Sequence, residues 1–326
     1  SSIQEEHLAC RSTAGMFDVS HMGFFSFEGD NVREWLESIS TQKISSFVNG
    51  RCGYTHFLDF DGHIIDDMIF AVKSETCVLG VPNASMVPTM WKWLNELLPK
   101  DGSITIKDLS GDTSIIALQG PNSGEILSAA LGADNRISRF KCQEILTNDA
   151  GITGWIQGTG YTGESGAEIF VNNGQVAILW NLLLAKGESH GLVPVGLGAR
   201  DTLRLEKGYL LSGTDFNGSQ TTLESGYSWV IDWNHDFIGK ERLLIQKEAE
   251  YKSLSGILLE ERGVLRPGLE VYLMGEKISE LTSGSLSPIL KRGIGLSYLD
   301  LPIGTTVNVS IRNKQLKGRV IQTPFL

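Results

Sequence analysis

Two adjacent carboxylates, Asp66 and Asp67, stand inside the otherwise apolar run of residues 64–72. Side chains along a strand alternate between its two faces, so one aspartate shares a face with Met68 and the other with Ile69. Burying a carboxylate without a partner costs on the order of several kcal/mol, so such a group is normally paired with a cation or kept for chemistry. The carboxylate pair therefore predicts a functional site on this strand.

A second candidate is the glycine-rich segment at 158–163, which matches G-x-G-x-x-G. A dinucleotide site needs the third glycine to open a helix, but Glu164 and a predicted strand at 167–171 follow here. This context disfavours nucleotide binding and leaves a flexible turn as the simple interpretation. Glu168, a carboxylate within the apolar strand, is suited to accept paired N–H donors from a planar heterocycle.

The remaining candidates are weaker when each is taken alone. Residues 196–206 predict a helix on which Arg200 and Arg204 are one turn apart, so both point either into a cleft or, as is more usual, into water. Asn83 follows a predicted strand and precedes a helix, a position typical of an N-cap. A last set of candidates consists of Tyr54, Tyr161 and Tyr209. These tyrosines either line a ligand cavity or belong to the hydrophobic core.

Composition excludes several classes of function. The 326 residues carry 28 basic and 38 acidic side chains, a net charge of -10, without a basic cluster that would bind nucleic acid. The cysteines, Cys10, Cys52, Cys77 and Cys142, form no C-x-x-C pair, which disfavours a metal site or disulfide framework and favours a reducing compartment. No apolar run approaches the roughly 20 residues of a membrane span, and no charged-then-apolar leader opens the chain. Because the first residue is Ser1, we expect a chain that is processed, trimmed or only partly observed at its front.

Hydrophobic periodicity predicts an α+β protein with two similar α+β halves. The expected strands are 17–29, 54–60, 64–72, 76–81, 113–118, a pair within 143–156, and 167–171, and the expected helices are 32–39, 86–98, 122–131, 176–187 and 196–206. A charged helix or linker is expected at 245–252. Beyond it, short β-like runs broken by glycine, proline and asparagine predict a small β-barrel or sandwich. We place the boundary near residue 248, between regions 1–247 and 248–326.

Five motifs in order together resemble the aminomethyltransferase, or T-protein, family of the glycine cleavage system. They are MFDVSHMG at 16–23, GHIIDD at 62–67, GYTGESGAE at 160–168, GLGARDTLRLE at 196–206 and FIGKE at 237–241. The resemblance covers nearly the whole chain. It implies two interleaved α+β folate-binding subdomains and a C-terminal β-barrel, three domains around a central cavity.

The resemblance also implies a reaction. An aminomethyl group on the lipoyl arm of the H-protein would be transferred to tetrahydrofolate, giving ammonia, methylenetetrahydrofolate and the reduced carrier. By position, Asp67 resembles the catalytic aspartate, and Glu168 and Arg200 resemble the residues that hold the pterin. The positions that would line the folate pocket are Met22, Tyr54, Asn83, Tyr161 and Tyr209. We expect a monomer or weak oligomer in the cytoplasm, or in the mitochondrial matrix if the source is eukaryotic.

The chain departs from the family pattern at both ends. Family members have a further segment ahead of the position of Ser1, and many carry an aromatic hydroxyl just beyond the final Pro-Phe, where this chain has Leu326. Two folate-binding alternatives share the scaffold: an iron-sulfur assembly paralogue, which would need a cysteine in a Lys-Gly-Cys-Tyr context that is absent here, and a tetrahydrofolate-dependent demethylase. A partner-binding protein in which Asp67 only pairs with an arginine is the third alternative.

Overall fold

The computed structural model describes residues 2–312 and 314–326. The α-helices in this part are α1 (Ile3–Ser12), α2 (Val32–Ser38), α3 (Val87–Glu96), α4 (Ser123–Leu131), α5 (Val176–Gly187), α6 (Leu197–Glu206) and α7 (Lys240–Lys247). The strands up to residue 194 are β1 (Ala14–Asp18), β2 (Phe25–Gly29), β3 (Arg51–Leu58), β4 (Ile64–Ser74), β5 (Cys77–Pro82), β6 (Ile104–Asp108), β7 (Thr113–Gln119), β8 (Cys142–Glu144), β9 (Gly154–Gln157), β10 (Gly166–Asn172) and β11 (Leu192–Pro194). The later strands are β12 (Ser253–Leu259), β13 (Glu270–Leu273), β14 (Glu276–Glu280), β15 (Ser283–Ser287), β16 (Arg292–Leu299), β17 (Thr306–Ile311) and β18 (Lys314–Ile321). Among the described helices, none is long and apolar enough to cross a membrane.

The first two sheets are nested along the chain. Sheet 1 runs in the order β11-β1-β7-β10-β9-β8, and sheet 2 in the order β3-β4-β5-β2-β6. The chain leaves sheet 1 after β1, builds all of sheet 2, and returns to sheet 1 with β7. The predicted α+β class and the interleaved arrangement are therefore confirmed.

The single strand predicted over residues 17–29 is wrong. This segment splits into β1 of sheet 1 and β2 of sheet 2, and the chain crosses between the sheets at 19–24. A Cβ atom at Gly23 would come within 2.7 Å of the Val87 side chain, so the crossing is tightly packed. The apolar pattern continues through the crossing because Val19 and Phe24 are buried between the sheets.

Both faces of sheets 1 and 2 are covered. One apolar cluster joins the two sheets and the inner face of α6, including Phe17, Phe170, Ala71 and Leu203. A second cluster fills the space between sheet 1 and helices α4 and α5, and a third lies between sheet 2 and helices α2 and α3. Strands buried on both faces give near-continuous apolar runs, and this makes the aspartates of β4 conspicuous.

The C-terminal region forms sheet 3, in the order β14-β13-β17-β18-β12-β16-β15, which has its own apolar core. Of the two β architectures open from the sequence, the barrel is the one found. It packs behind α6, where the Arg204 guanidinium donates to Ser283 Oγ at 2.8 Å and the Phe325 amide donates to the Glu206 carbonyl at 2.9 Å. The helix expected at 245–252 begins earlier and ends at Lys247.

Candidate active site

One cavity of about 710 Å³ lies at the meeting of sheets 1 and 2 with α6. Asp66 and Arg204 do not line it, whereas eight other residues named from the sequence do: Met22, Tyr54, Asp67, Asn83, Tyr161, Glu168, Arg200 and Tyr209. The lining residues that the structure describes run from Met22 to Trp229, so the barrel contributes by packing behind α6. Within the described residues, no group of three or more His, Cys, Asp or Glu side chains is arranged to hold a metal ion.

Strand β4 sends its two aspartates to opposite faces. Asp66 lies on the fully buried face with Met68 and has no exposed surface, whereas Asp67 is half-buried and faces the cavity. The Asp66 carboxylate accepts hydrogen bonds from the Asn83 amide at 3.1 Å, from Asn83 Nδ2 at 2.8 Å and from Ser212 Oγ at 2.9 Å. The more deeply buried carboxylate is thus satisfied by three donors, and the other faces the cavity.

Both oxygens of Asp67 are fixed by donors. The Tyr54 hydroxyl donates to Oδ2, and Asn83 Nδ2 donates to Oδ1. Asn83 precedes a short 3-10 helix in the cap position, but its side chain makes no capping hydrogen bond. The predicted N-cap position is therefore confirmed, but the side chain does not cap the helix, because its amide instead bridges the two aspartates.

Burial dominates the acidity of the pair. Desolvation raises the pKa of the Asp67 carboxyl above its ordinary value, and the hydrogen bonds from Tyr54 and Asn83 offset part of this rise. Desolvation, followed by repulsion from Asp67, likewise raises the pKa of Asp66. A carboxylate with a raised pKa is a better proton acceptor near neutral pH than an exposed one.

Glu168 extends from β10 into the cavity, and only one of its two carboxylate oxygens accepts hydrogen bonds from the described residues. Its Oε2 accepts hydrogen bonds from the Thr159 hydroxyl and from Gln157 Nε2, the latter at 3.4 Å. Its Oε1 accepts no hydrogen bond from residues 2–312 or 314–326. An oriented carboxylate with one unengaged oxygen suits an N–H donor of a ligand.

The two arginines of α6 have different environments. The Arg200 guanidinium lies over the Tyr161 ring, 4.5 Å from its centroid, and lines the cavity. The Arg204 side chain is 2 % exposed and donates to Asp201 and Asp215, each at 2.8 Å. The shared orientation and the more usual surface position expected for this pair are both wrong, because Arg204 is buried against the barrel.

The glycine-rich segment at 158–163 lies in the loop between β9 and β10, and it leads into a strand and not into a helix. A Cβ atom at Gly158 would overlap the Ser138 carbonyl oxygen, and one at Gly160 would overlap the Gln119 side chain. Close backbone packing therefore explains these glycines. Within this segment Tyr161 donates its hydroxyl to the Leu210 carbonyl and stacks against Tyr209, with ring centroids 5.9 Å apart.

Three residues at or beside the site were not found from the sequence. Tyr227 and Trp229 line the cavity, and Trp229 stacks against Tyr54 with ring centroids 5.8 Å apart. His56 lies behind Tyr54, completely buried. The alternation of β3 places His56 on the face of Tyr54, and this was the one available signal.

Comparisons with known proteins cover both regions of the chain. The model of the GCVT N-terminal domain matches residues 1–235, and that of the glycine cleavage T-protein C-terminal barrel domain matches residues 252–326. The chain is 38% identical to an aminomethyltransferase of Bacillus licheniformis and 37% identical to one of Symbiobacterium thermophilum, covering all of this chain and 90% and 89% of those proteins. The crystal structure of glycine cleavage system aminomethyltransferase T from Bartonella henselae superposes with a TM-score of 0.92 at 27% identity, covering all of this chain and 90% of that one.

Proposed function

The chain belongs to the glycine cleavage T-protein family and is an aminomethyltransferase, and from that premise we propose how its cavity acts. The methylene carbon of an aminomethyl group, carried on the lipoyl arm of an H-protein, passes to tetrahydrofolate. Ammonia, 5,10-methylenetetrahydrofolate and the reduced lipoyl carrier are the products. The single observation that carries the proposal is the Asp67 carboxylate, which faces the cavity with both oxygens held.

Asp67 is the catalytic residue in this proposal. Nitrogen N5 of the folate attacks the methylene carbon, and positive charge develops as ammonia leaves it. N10 then attacks the same carbon and closes the five-membered ring, the bond from carbon to the lipoyl sulfur breaks, the departing sulfur takes the N5 proton, and N10 loses its proton. A fixed carboxylate in a partly desolvated cavity stabilises that charge without reorganising. Its raised pKa also suits it to take the N10 proton, a contribution of roughly 10²- to 10⁴-fold.

Glu168, Arg200 and the aromatic side chains would hold the pterin. The unengaged Oε1 of Glu168 supports a role in accepting an N–H of the pterin edge. Arg200 lacks a carboxylate partner among the described residues, and it is therefore available to offset the negative charge of Asp67 and Glu168 or to orient the ligand. Met22, Tyr54, Asn83, Tyr161 and Tyr209 complete the pocket in this proposal.

The expected partner is a lipoylated H-protein, which delivers the aminomethyl group to the cavity. The acidic net charge of -10 supports the absence of nucleic acid from the reaction. We also propose that the protein works in the cytoplasm as a monomer or weak oligomer.

The decisive experiment supplies aminomethylated, lipoylated H-protein and tetrahydrofolate, and measures ammonia and methylenetetrahydrofolate. We expect Asp67→Asn to lower kcat by about 10²-fold or more while folate binding stays within a few-fold, because the carboxylate acts on the reacting atoms. Asp61→Asn is a control in the preceding turn with an exposed carboxylate. Normal turnover by the Asp67 variant would refute the assignment.

The same assay separates the folate-binding alternatives. Folate binding without carrier-dependent ammonia release would indicate a demethylase or an iron-sulfur assembly paralogue. A demethylase would instead form methylenetetrahydrofolate from a small methylated amine or sulfonium compound in the absence of carrier.

A further inference from the structure

His56 is a buried ionisable side chain behind the cavity wall that the proposed reaction does not use and that contacts Tyr54, a hydrogen-bond partner of Asp67. It lies on β3 with 0 % exposure. Its Nδ1 is 3.0 Å from Thr222 Oγ1 and its Nε2 is 3.3 Å from the Tyr54 hydroxyl. The Tyr54 hydroxyl is in turn bonded to Asp67. A continuous hydrogen-bonded chain therefore runs from Thr222 to the carboxylate.

The direction of this chain follows from which groups can donate. An ionised Asp67 only accepts, so Tyr54 must give its single hydroxyl proton to the carboxylate. His56 must then donate from Nε2 to the Tyr54 oxygen. Its Nδ1 is therefore the acceptor, and the Thr222 hydroxyl is the donor. Each hydrogen bond in this series is therefore donated in the direction of Asp67.

Packing holds the imidazole ring in place, and burial keeps it neutral. The ring stacks on Tyr227 with centroids 5.9 Å apart, and burial lowers the pKa of His56 to about 3. The titratable groups that face it are Tyr54 on its own strand and Tyr227 from the segment at 227–230, with Asp67 beyond Tyr54. Burial raises the pKa of both tyrosines, so each remains a neutral phenol.

We propose that His56 is a positioning residue, which through Tyr54 aims a hydrogen bond at Asp67 and keeps that carboxylate ionised. The inference rests on the proposed function of Asp67 but concerns a residue outside the ligand-contacting set. Aligned hydrogen bonds polarise one another, so loss of the histidine donor weakens the bond from Tyr54 to the carboxylate. Asp67 is then protonated more readily, and less of the enzyme is active at low pH.

The test compares His56→Leu with His56→Gln. Leucine removes both polar contacts, whereas the glutamine amide can replace the Nε2–H donor. We expect His56→Leu to lower kcat about tenfold and to move the acid limb of the rate profile upward by about half to one pH unit, with the KM for tetrahydrofolate within about twofold. His56→Gln should recover most of both effects.

A double-mutant cycle shows whether the effect passes through Tyr54. In a Tyr54→Phe background, His56→Leu should have no further effect on kcat or on the acid limb. Equal losses in the leucine and glutamine variants, an unmoved acid limb, or additive losses in the cycle would each overturn the proposal. If His56→Leu does not fold, Thr222→Val removes the donor to Nδ1 and should shift the limb in the same direction by a smaller amount.

A readout that needs no turnover separates this inference from the proposed function. Carbon-13 NMR of protein labelled at the aspartate carboxyls gives the pKa of Asp67, whose resonance is identified by its loss in Asp67→Asn. We expect a higher pKa in His56→Leu than in wild type, even if the enzyme proved inactive with the H-protein. An equal pKa would overturn the positioning role whatever the substrate. An inactive wild type with the expected shift would refute only the proposed reaction.

Discussion

At the scale of single residues, two neighbouring aspartates have opposite roles because a strand alternates its faces. Asp66 is buried and satisfied by three donated hydrogen bonds, and Asp67 faces the cavity. The side-chain amide of Asn83 donates to both carboxylates, so its two N–H groups are used and the orientation of the side chain is fixed. A pair of like charges in contact raises the pKa of at least one member, and burial adds to that rise.

Glu168 offers a direct test of ligand recognition. Glu168→Gln replaces a charged acceptor with a neutral amide, so tetrahydrofolate binding should weaken by about 10- to 100-fold, measured by calorimetry. Glu164 is the matched control, because it lines the same cavity but is paired with Arg11 at 2.8 Å. Glu164→Gln should change affinity by less than about threefold. Equal losses in both variants would mean that Glu168 has no specific contact with the ligand.

His56 makes stability depend on acidity in a defined window. Burial lowers the pKa of His56 from 6.5 to about 3. Below pH 6.5 the imidazole therefore binds a proton in the unfolded chain but stays neutral in the folded chain. Stability from this residue is fully present above pH 6.5 and decreases on acidification, by up to about 1.4 kcal/mol per pH unit. Between pH 7 and pH 5, urea unfolding should show wild type losing about 1–2 kcal/mol more than His56→Gln. Parallel stability profiles for the two proteins would contradict the burial of a neutral imidazole.

At the scale of elements, a closely packed loop and a helix meet at the cavity wall, where Arg200 of α6 lies over the ring of Tyr161. The segment at 158–163 is fixed by backbone contact with residues 138–141, including a 2.8 Å hydrogen bond from the Phe140 amide to the Gly158 carbonyl. Thr159 in the same segment bonds to Glu168. The loop therefore sets the position of the carboxylate, while α6 sets that of Arg200.

Replacing Gly158 should disturb this loop. Gly158→Ala would force its Cβ against the Ser138 carbonyl oxygen, so we expect a loss of about 1–3 kcal/mol in thermal or urea unfolding, together with weaker folate binding. Gly111→Ala serves as control, since a Cβ there meets no atom within 4 Å. If both alanine variants were equally stable, the close approach at Gly158 would be incorrect.

At the scale of the whole molecule, the barrel supports α6 from behind. The Arg204 guanidinium donates to Asp215 of the N-terminal region and to Ser283 of the barrel, each at 2.8 Å, and so connects the two regions. Asp215 is fully buried. Ser287 adds a hydrogen bond to Glu206 at 2.5 Å. Since Arg200 is one turn away on the same helix, these contacts also fix the cavity wall. The domain boundary near residue 248 stays a prediction.

Breaking this connection should destabilise the protein. Arg204→Met leaves the Asp215 carboxylate buried without its cation, and we expect a loss of about 3–5 kcal/mol in urea unfolding. Arg242→Met removes an exposed pair with Asp61 and should cost less than about 1 kcal/mol. A small loss at Arg204 would show that the other contacts, including the hydrogen bonds of Ser287 and Phe325 to Glu206, hold the barrel to α6 without it.

The sequence by itself determined many of the elements and the family, and it predicted where the site lies. Periodicity located α5 at its observed bounds and found β4 and β10, because burial on defined faces leaves a repeating apolar pattern. Two carboxylates in an apolar strand predicted a site there, because burying an unpaired charge is costly. The five ordered motifs indicated the family, whose models match residues 1–235 and 252–326.

Only the tertiary structure decided which side chains meet. A strand pattern does not say which face of β4 looks into the cavity, so the separate roles of Asp66 and Asp67 needed the packing of sheet 2. Arg204 differs from Arg200 because it pairs with Asp215, and His56 contacts Thr222. Both contacts join residues that are not neighbours in sequence. Such contacts depend on how the sheets and the barrel pack, and local periodicity carries no information about that packing.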